Sequence, residues 1–207
     1  MNEHLKEALR RIQVTYDNQL SALHLTGLEL DHIPELLLNA SHIKVLGLKG
    51  NRLTQLPDDF DRLKQLRVLE LEDNQLETLP TCIGAFQDLR VLVVKDNRLS
   101  ALPETMGQLK SLRMLELRDN GLTALPDTLF QLPILRELYL KNNQLQAIQA
   151  VSGLQKLAKL DISGNPMGQL PEGLEALSAL RMLWVDEGFK SSMSEILLTK
   201  LQTNTPD

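Results

Sequence analysis

Two carboxylates, Glu70 and Glu116, and four histidines, His4, His24, His32 and His42, are the side chains of this chain best suited to proton or metal chemistry. Placed two strands apart on a parallel sheet, the glutamates would be roughly 9 to 10 Å apart, a separation open to an inverting hydrolase pair. Such a pair needs one carboxyl held protonated by an apolar surround, and the charged pattern around both predicts an open, solvated face instead. The histidines show no ligand spacing with cysteine or carboxylates, so no metal site is expected. No phosphate loop or nucleophile elbow occurs. The reading is of a protein that is not an enzyme, with no catalytic, metal-binding or cofactor-binding residues and no cofactor.

Amides are the more informative chemistry. Asn51, Asn74, Asn97, Asn120 and Asn143 follow one another at 23-residue intervals, and Asn165 comes after 22. Apolar residues keep the same offsets around each, as in Leu66, Leu69, Leu71, Asn74, Leu76, Leu79 and Pro80. One period before Asn51 lies Leu28, among Leu20, Leu23, Leu25, Leu30, Ile33 and Pro34, with only the amide lost. One period beyond Asn165 lies Gly188, after Leu180, Leu183 and Val185. This is an internal repeat of eight units over residues 20–190, degenerate at both ends as terminal repeats usually are.

Within a unit, Val68-Leu69-Glu70-Leu71-Glu72 alternates with period two, which predicts a short strand with Leu69 and Leu71 inward. Strands one period apart run the same way and form a parallel sheet. Beyond the strand the chain turns inward, where backbone groups lose both ladder partners and water. A buried asparagine supplies both a donor and an acceptor there, so all six amides are assigned a structural role. Prolines 34, 57, 80, 103, 126 and 171 each follow the residue that closes the inner apolar set, and hold that residue extended where the chain starts its return. The returns are too short for long helices and are expected to be irregular or single 3-10 turns, leaving the sheet on the concave side.

Composition fits one continuous α/β solenoid. Hydrophobic residues make up 43% and aromatics only 3%, so the core is aliphatic. A net charge of -5 from 22 basic and 27 acidic residues disfavours a nucleic-acid partner. The N-terminus carries Glu3, Lys6 and Glu7 rather than a signal-like apolar run, and no stretch reaches membrane-spanning length. The expectation is a cytoplasmic, monomeric protein with no membrane partner, a secreted effector remaining open. Cys82, the only cysteine, falls on a return segment and is expected to be an inert thiol.

The open ends of a solenoid need covers. Residues 1–19 carry Leu5, Leu9 and Ile12 at helical spacing and are assigned to an N-terminal capping helix. Residues 191–207 carry Met193, Ile196, Leu197 and Leu201, with Ser192 or Ser194 as N-cap, and are assigned to a C-terminal capping helix and tail. Both helices are open to a second reading as partner-binding segments.

These residues resemble the leucine-rich repeat family over nearly the whole chain. The 23-residue unit with its Leu-Pro step is similar to the short-repeat subclass of Ras-suppressor-like and bacterial leucine-rich repeat proteins. The resemblance implies a horseshoe or arc used as a binding platform, with a parallel concave sheet, an irregular or 3-10 convex side and a helical cap at each end. Asn51 to Asn165 match framework positions and carry no ligand identity. Two departures stand out: Gln149 replaces the expected proline, and the following asparagine comes one residue early.

Information about a partner must then sit at the variable concave positions. The central column reads His24, Gly47, Glu70, Val93, Glu116, Tyr139, Asp161 and Trp184, with neighbours about 4.8 Å apart. A second column reads Lys49, Glu72, Lys95, Arg118 and Lys141, beside Asp73, Asp96 and Asp119, and a third series of Lys44, Arg67, Arg90, Arg113, Arg136 and Arg181 borders the strands. The expected partner-binding residues are Glu70, Val93, Met114, Glu116, Arg118, Tyr139, Lys141, Met182 and Trp184, serving a protein partner. Two plainer readings stand beside this: Trp184 covers the last rung under the C-terminal helix, and the charged columns pair among themselves. A non-protein ligand such as a glycan is the alternative use of the aromatic end.

Overall fold

The computed structural model describes residues 3–195 together with 197 and 198. After the helix α1 (Glu3–Asp17), eight three-residue strands follow: β1 (Ala22–His24), β2 (Val45–Gly47), β3 (Val68–Glu70), β4 (Val91–Val93), β5 (Met114–Glu116), β6 (Glu137–Tyr139), β7 (Lys159–Asp161) and β8 (Met182–Trp184). They form one sheet in chain order, every neighbouring pair parallel. Between strands the chain returns through short 3-10 turns, four of which start directly after Pro34, Pro80, Pro103 and Pro126. Each of these prolines is extended, with φ between -61° and -71°, so its ring fits the corner where no ladder bond is needed.

Leu23, Leu46, Leu69, Leu92, Leu115, Leu138 and Leu160 point inward from the centres of β1 to β7 and are at most 2% exposed. With the convex-side residues they make a single continuous aliphatic core. Two of the four phenylalanines, Phe60 and Phe86, meet edge to face behind the sheet at 5.9 Å and are fully buried.

The asparagines form a ladder through the core. Asn120 Oδ1 accepts the Leu99 N–H at 3.0 Å, while its Nδ2 donates to the carbonyls of Val94 at 3.0 Å and Leu117 at 3.1 Å. The same arrangement recurs at each of the other five, so every amide ties its own turn to the preceding one. Backbone groups that the inward bend would strand are satisfied in this way.

The residue before each ladder position has a left-handed backbone: Gly27, Gly50, Asp73, Asp96, Asp119, Asn142 and Gly164, with φ from 54° to 68°. Only glycine, asparagine and aspartate occur there, the types that adopt this region at least cost. Asp73, Asp96 and Asp119 therefore belong to the framework as well as to the charged surface.

The shortened sixth unit leaves the sheet undisturbed, since β6 and β7 pair Glu137 with Lys159 across 22 residues. The missing residue is absorbed behind the sheet, in the return that contains the 3-10 turn Val151–Gly153. There the backbone comes so close that a Cβ on Gly153 would lie 2.3 Å from the Phe130 carbonyl oxygen.

At the N-terminal end α1 packs on β1 and the turn Glu35–Asn39. Its buried face is Ala8, Ile12 and Thr15, with Leu5 half-buried against the core. The apolar stripe is thus turned from the Leu5, Leu9 and Ile12 line toward smaller side chains that let the helix approach. At the other end Ser194 Oγ accepts the Leu197 N–H at 3.2 Å, an N-cap arrangement, and Leu197 is 3% exposed. Ile196 and Leu201, assigned above to the same helix, lie outside the described residues.

Candidate binding face

Parallel pairing aligns His24, Gly47, Glu70, Val93, Glu116, Tyr139, Asp161 and Trp184 as one column across the concave face. Their burial is uneven. Trp184 is 42% exposed, Glu70, Val93 and Tyr139 are half-buried, and Glu116 and Asp161 are only 5% and 7% exposed. The open, solvated setting expected for Glu116 is thus corrected.

The reason is local. Glu116 receives the Arg118 guanidinium on both oxygens, Nε to Oε1 at 2.8 Å and Nη2 to Oε2 at 2.5 Å, and Oε1 also accepts the Arg118 N–H. The Arg118 Cζ lies 5.1 Å from the centroid of the Tyr139 ring on the next rung. Residues two apart on one strand share a face, so the pair forms within β5 and its extension, and Tyr139 stacks over it. The bond to Glu116 holds the Arg118 pKa above its ordinary value against the opposing effect of burial. With Glu116 bound in this way, it no longer forms an open pair with Glu70.

Tyr139 is held in turn. Its hydroxyl donates to Glu137 Oε2 at 2.8 Å, and Glu137 Oε1 lies 3.1 Å from Lys159 Nζ. Burial, then the bond and charge of Glu137, push the Tyr139 pKa well above that of a free phenol. On its far side the ring stands 6.3 Å from that of Trp184, tilted by 42°. Asp161 lies on the rung between them, its Oδ1 accepting the Ser163 hydroxyl at 2.7 Å and N–H at 3.2 Å. Arg118, Tyr139 and Trp184 therefore make one patch over a floor of bonded carboxylates.

Of the other expected residues, Met114 and Met182 are half-buried in the next column and Lys141 is exposed beyond β6. Glu137, Lys159 and Ser163 were not singled out in the sequence, although the period places Glu137 and Lys159 in the Met114 column. In the second column Lys49 reaches Glu72 at 3.7 Å and Lys95 reaches Asp96 at 3.7 Å, so part of that surface pairs with itself. Gly47 leaves a gap in the central column that His24 fills, for a Cβ there would lie 2.6 Å from His24 Nδ1.

Cys82 is half-buried on the convex side, where burial raises its thiol pKa. Among the described residues no cluster of histidine, cysteine and carboxylates fits a metal ion, and no helix is long and apolar enough to cross a membrane.

An open parallel sheet wound from short repeats, with 3-10 returns and an asparagine ladder, defines a repeat solenoid. The chain belongs to the leucine-rich repeat family: the family described as Leucine rich repeat matches residues 18–76 and 111–167, more than half of the sequence. YopM from Yersinia enterocolitica is 32% identical, with a TM-score of 0.75 over 87% of this chain and 36% of that one. The ectodomain of the Arabidopsis thaliana receptor kinase GASSHO1/SCHENGEN3, solved in complex with CASPARIAN STRIP INTEGRITY FACTOR 2, is 33% identical, with a TM-score of 0.73 over 84% and 22%. A leucine-rich repeat protein of Leptospira interrogans, at 23% identity, shares the fold with a TM-score of 0.72 over 94% and 61%. The chain thus spans less than two thirds of each of these structures. No curated protein matches the sequence at a significant level. Bacterial-type members stand among the similar structures, and leucine-rich repeat arcs are common scaffolds for protein–protein interaction, generally without enzymatic activity.

Proposed function

We propose that this protein is a non-enzymatic interaction module that binds a protein partner through its concave face, centred on Arg118, Tyr139 and Trp184. The observation that carries this reading is Trp184, the single tryptophan, standing 42% exposed beside the Tyr139 ring. The Tyr139 ring, already fixed by Arg118 and Glu137, loses little freedom on binding, which is how interface hot spots reach high energies. Met114, Met182 and Val93 extend the apolar area, while Glu70 and Lys141 set charge at its margins. α1 and Leu197 act in this reading as covers for the ends of the core. The molecule works as a monomer, its concave face open to the partner.

Affinity capture from the native host, compared between wild type and a Tyr139→Ala, Trp184→Ala double variant, tests the assignment. Partners retained by wild type and lost by a folded variant support it. An unchanged set of partners places the binding surface elsewhere. Retention on a glycan array without protein capture would favour a carbohydrate ligand for the same patch.

A further inference from the structure

Lys44, Arg67, Arg90, Arg113 and Arg136 each stand one residue before a strand, in five consecutive repeats. Their backbones are joined directly. The N–H groups of Arg67, Arg90, Arg113 and Arg136 donate at 2.8 Å to the carbonyls of Lys44, Arg67, Arg90 and Arg113 respectively. Five cations are therefore stacked rung on rung at about 4.8 Å, a row roughly 19 Å long.

The four arginines are exposed and Lys44 is half-buried. None of these five side chains has an ion pair or hydrogen bond among the described residues. Three carboxylates of the concave face pair with other cations instead: Glu72 with Lys49, Glu116 with Arg118, and Glu137 with Lys159. Like charges at this spacing repel, and the chain as a whole is acidic, so the row is a local excess rather than general basicity. Immediately beside it runs an apolar column, Val45, Val68, Val91 and Met114, in register and half-buried. The result is a two-stripe strip, cationic on one side and apolar on the other.

We propose that this strip binds an amphipathic acidic helix of a protein partner, laid across the strands. The proposal rests on the reading of the concave face as a protein-binding surface, but apart from Met114, which borders both, it uses residues outside the patch centred on Arg118, Tyr139 and Trp184. Spacing selects the helix. One helical turn advances ~5.4 Å, close to the ~4.8 Å of a rung, so a glutamate stripe stays opposite the arginines over four turns within the reach of their side chains. An extended chain presents same-face residues every ~6.8 Å and loses register after one or two rungs. A polyanion lacks the apolar stripe and meets Asp73, Asp96 and Asp119, exposed along the opposite edge of the sheet.

The test uses a fluorescein-labelled synthetic helix of about 18 residues, with leucine and glutamate on adjacent stripes and alanine elsewhere, read by anisotropy at low salt. Wild type is expected to bind it, and an Arg90→Glu, Arg113→Glu variant to bind at least about tenfold more weakly while gaining affinity for the same peptide with lysine in place of glutamate. Circular dichroism checks the fold of the variant; if it is lost, Arg90→Gln, Arg113→Gln replaces it, with a loss of about threefold or more expected. The proposal is overturned if the lysine peptide binds wild type as well as the glutamate peptide, or if the variants bind unchanged. It is also overturned if a peptide with glutamine in place of leucine binds equally, or if polyuridylate binds and the peptide does not. The Tyr139→Ala, Trp184→Ala variant is expected to keep the peptide, so this strip and the aromatic patch succeed or fail separately.

Discussion

Arg118 grips Glu116 through two parallel hydrogen bonds while lying over the ring of Tyr139, so a carboxylate only 5% exposed anchors the side chain that supports the aromatic patch. If the proposed face is the one used, this pair contributes to recognition by orienting Tyr139 even where it adds little to stability.

Replacing Glu116 by Gln keeps the shape and removes the charge assistance. Urea unfolding is expected to show a loss of about 1 to 2 kcal/mol, with Arg118 released from Tyr139 and partner binding weakened in proportion. A variant as stable as wild type, with binding intact, would show that the pair does not organise the patch.

Replacing Asn120 by Ala removes an acceptor for Leu99 and a donor to Val94 and Leu117 at once. Each stranded backbone group costs about 1 to 3 kcal/mol, so the total is expected to exceed about 3 kcal/mol. Denaturant titration against an exposed control such as Gln131→Ala measures it.

At the left-handed position Asp96, with φ of 54°, glycine is expected to be tolerated within a few tenths of a kcal/mol, whereas valine costs about 1 to 2 kcal/mol. Equal melting temperatures for the two variants would refute the framework role assigned to this column.

Tyr139 has its pKa raised by burial and by Glu137, so the neutral phenol is the form the fold favours. For an acid shifted upward the sign is plain: the stabilisation is fully present below about pH 10, the ordinary tyrosine value, and fades as pH rises toward the folded pKa. Tyrosinate absorbance should show a late transition that disappears in Tyr139→Phe, and that variant should lose less stability than wild type on going above pH 10.

Deleting residues 3–17 would uncover the core surfaces on which Ala8 and Ile12 now pack. In a linear stack an unsealed end frays inward, so hydrogen exchange is expected to quicken around β1 and β2 and fade in effect by β5. Uniform protection would mean that α1 is not a cover.

The parallel sheet, the inward leucines and the amide ladder were legible because period two and period 23 are properties of the chain alone. The left-handed column carried a signal as well, since it contains only glycine, aspartate and asparagine, yet its aspartates read equally well as surface charge. The packing face of α1 was only partly legible: Leu5 and Ile12 do face the core, but Ala8 and Thr15 share the buried face while Leu9 stays half-buried, an outcome set by the surface the helix meets.

The sequence by itself determined the register, and with it which residues share a rung, because a fixed repeat length leaves no freedom in how parallel strands align. The tertiary structure decided what each shared rung became. Glu116 is buried and Glu70 only half so, although both occupy the same column, because Arg118 and Tyr139 close over the first and nothing comparable closes over the second. Glu72, Glu116 and Glu137 pair with Lys49, Arg118 and Lys159, whereas Arg67, Arg90, Arg113 and Arg136 have no ion pair among the described residues. Such outcomes depend on competition among neighbours in space, which a linear period places side by side but cannot rank.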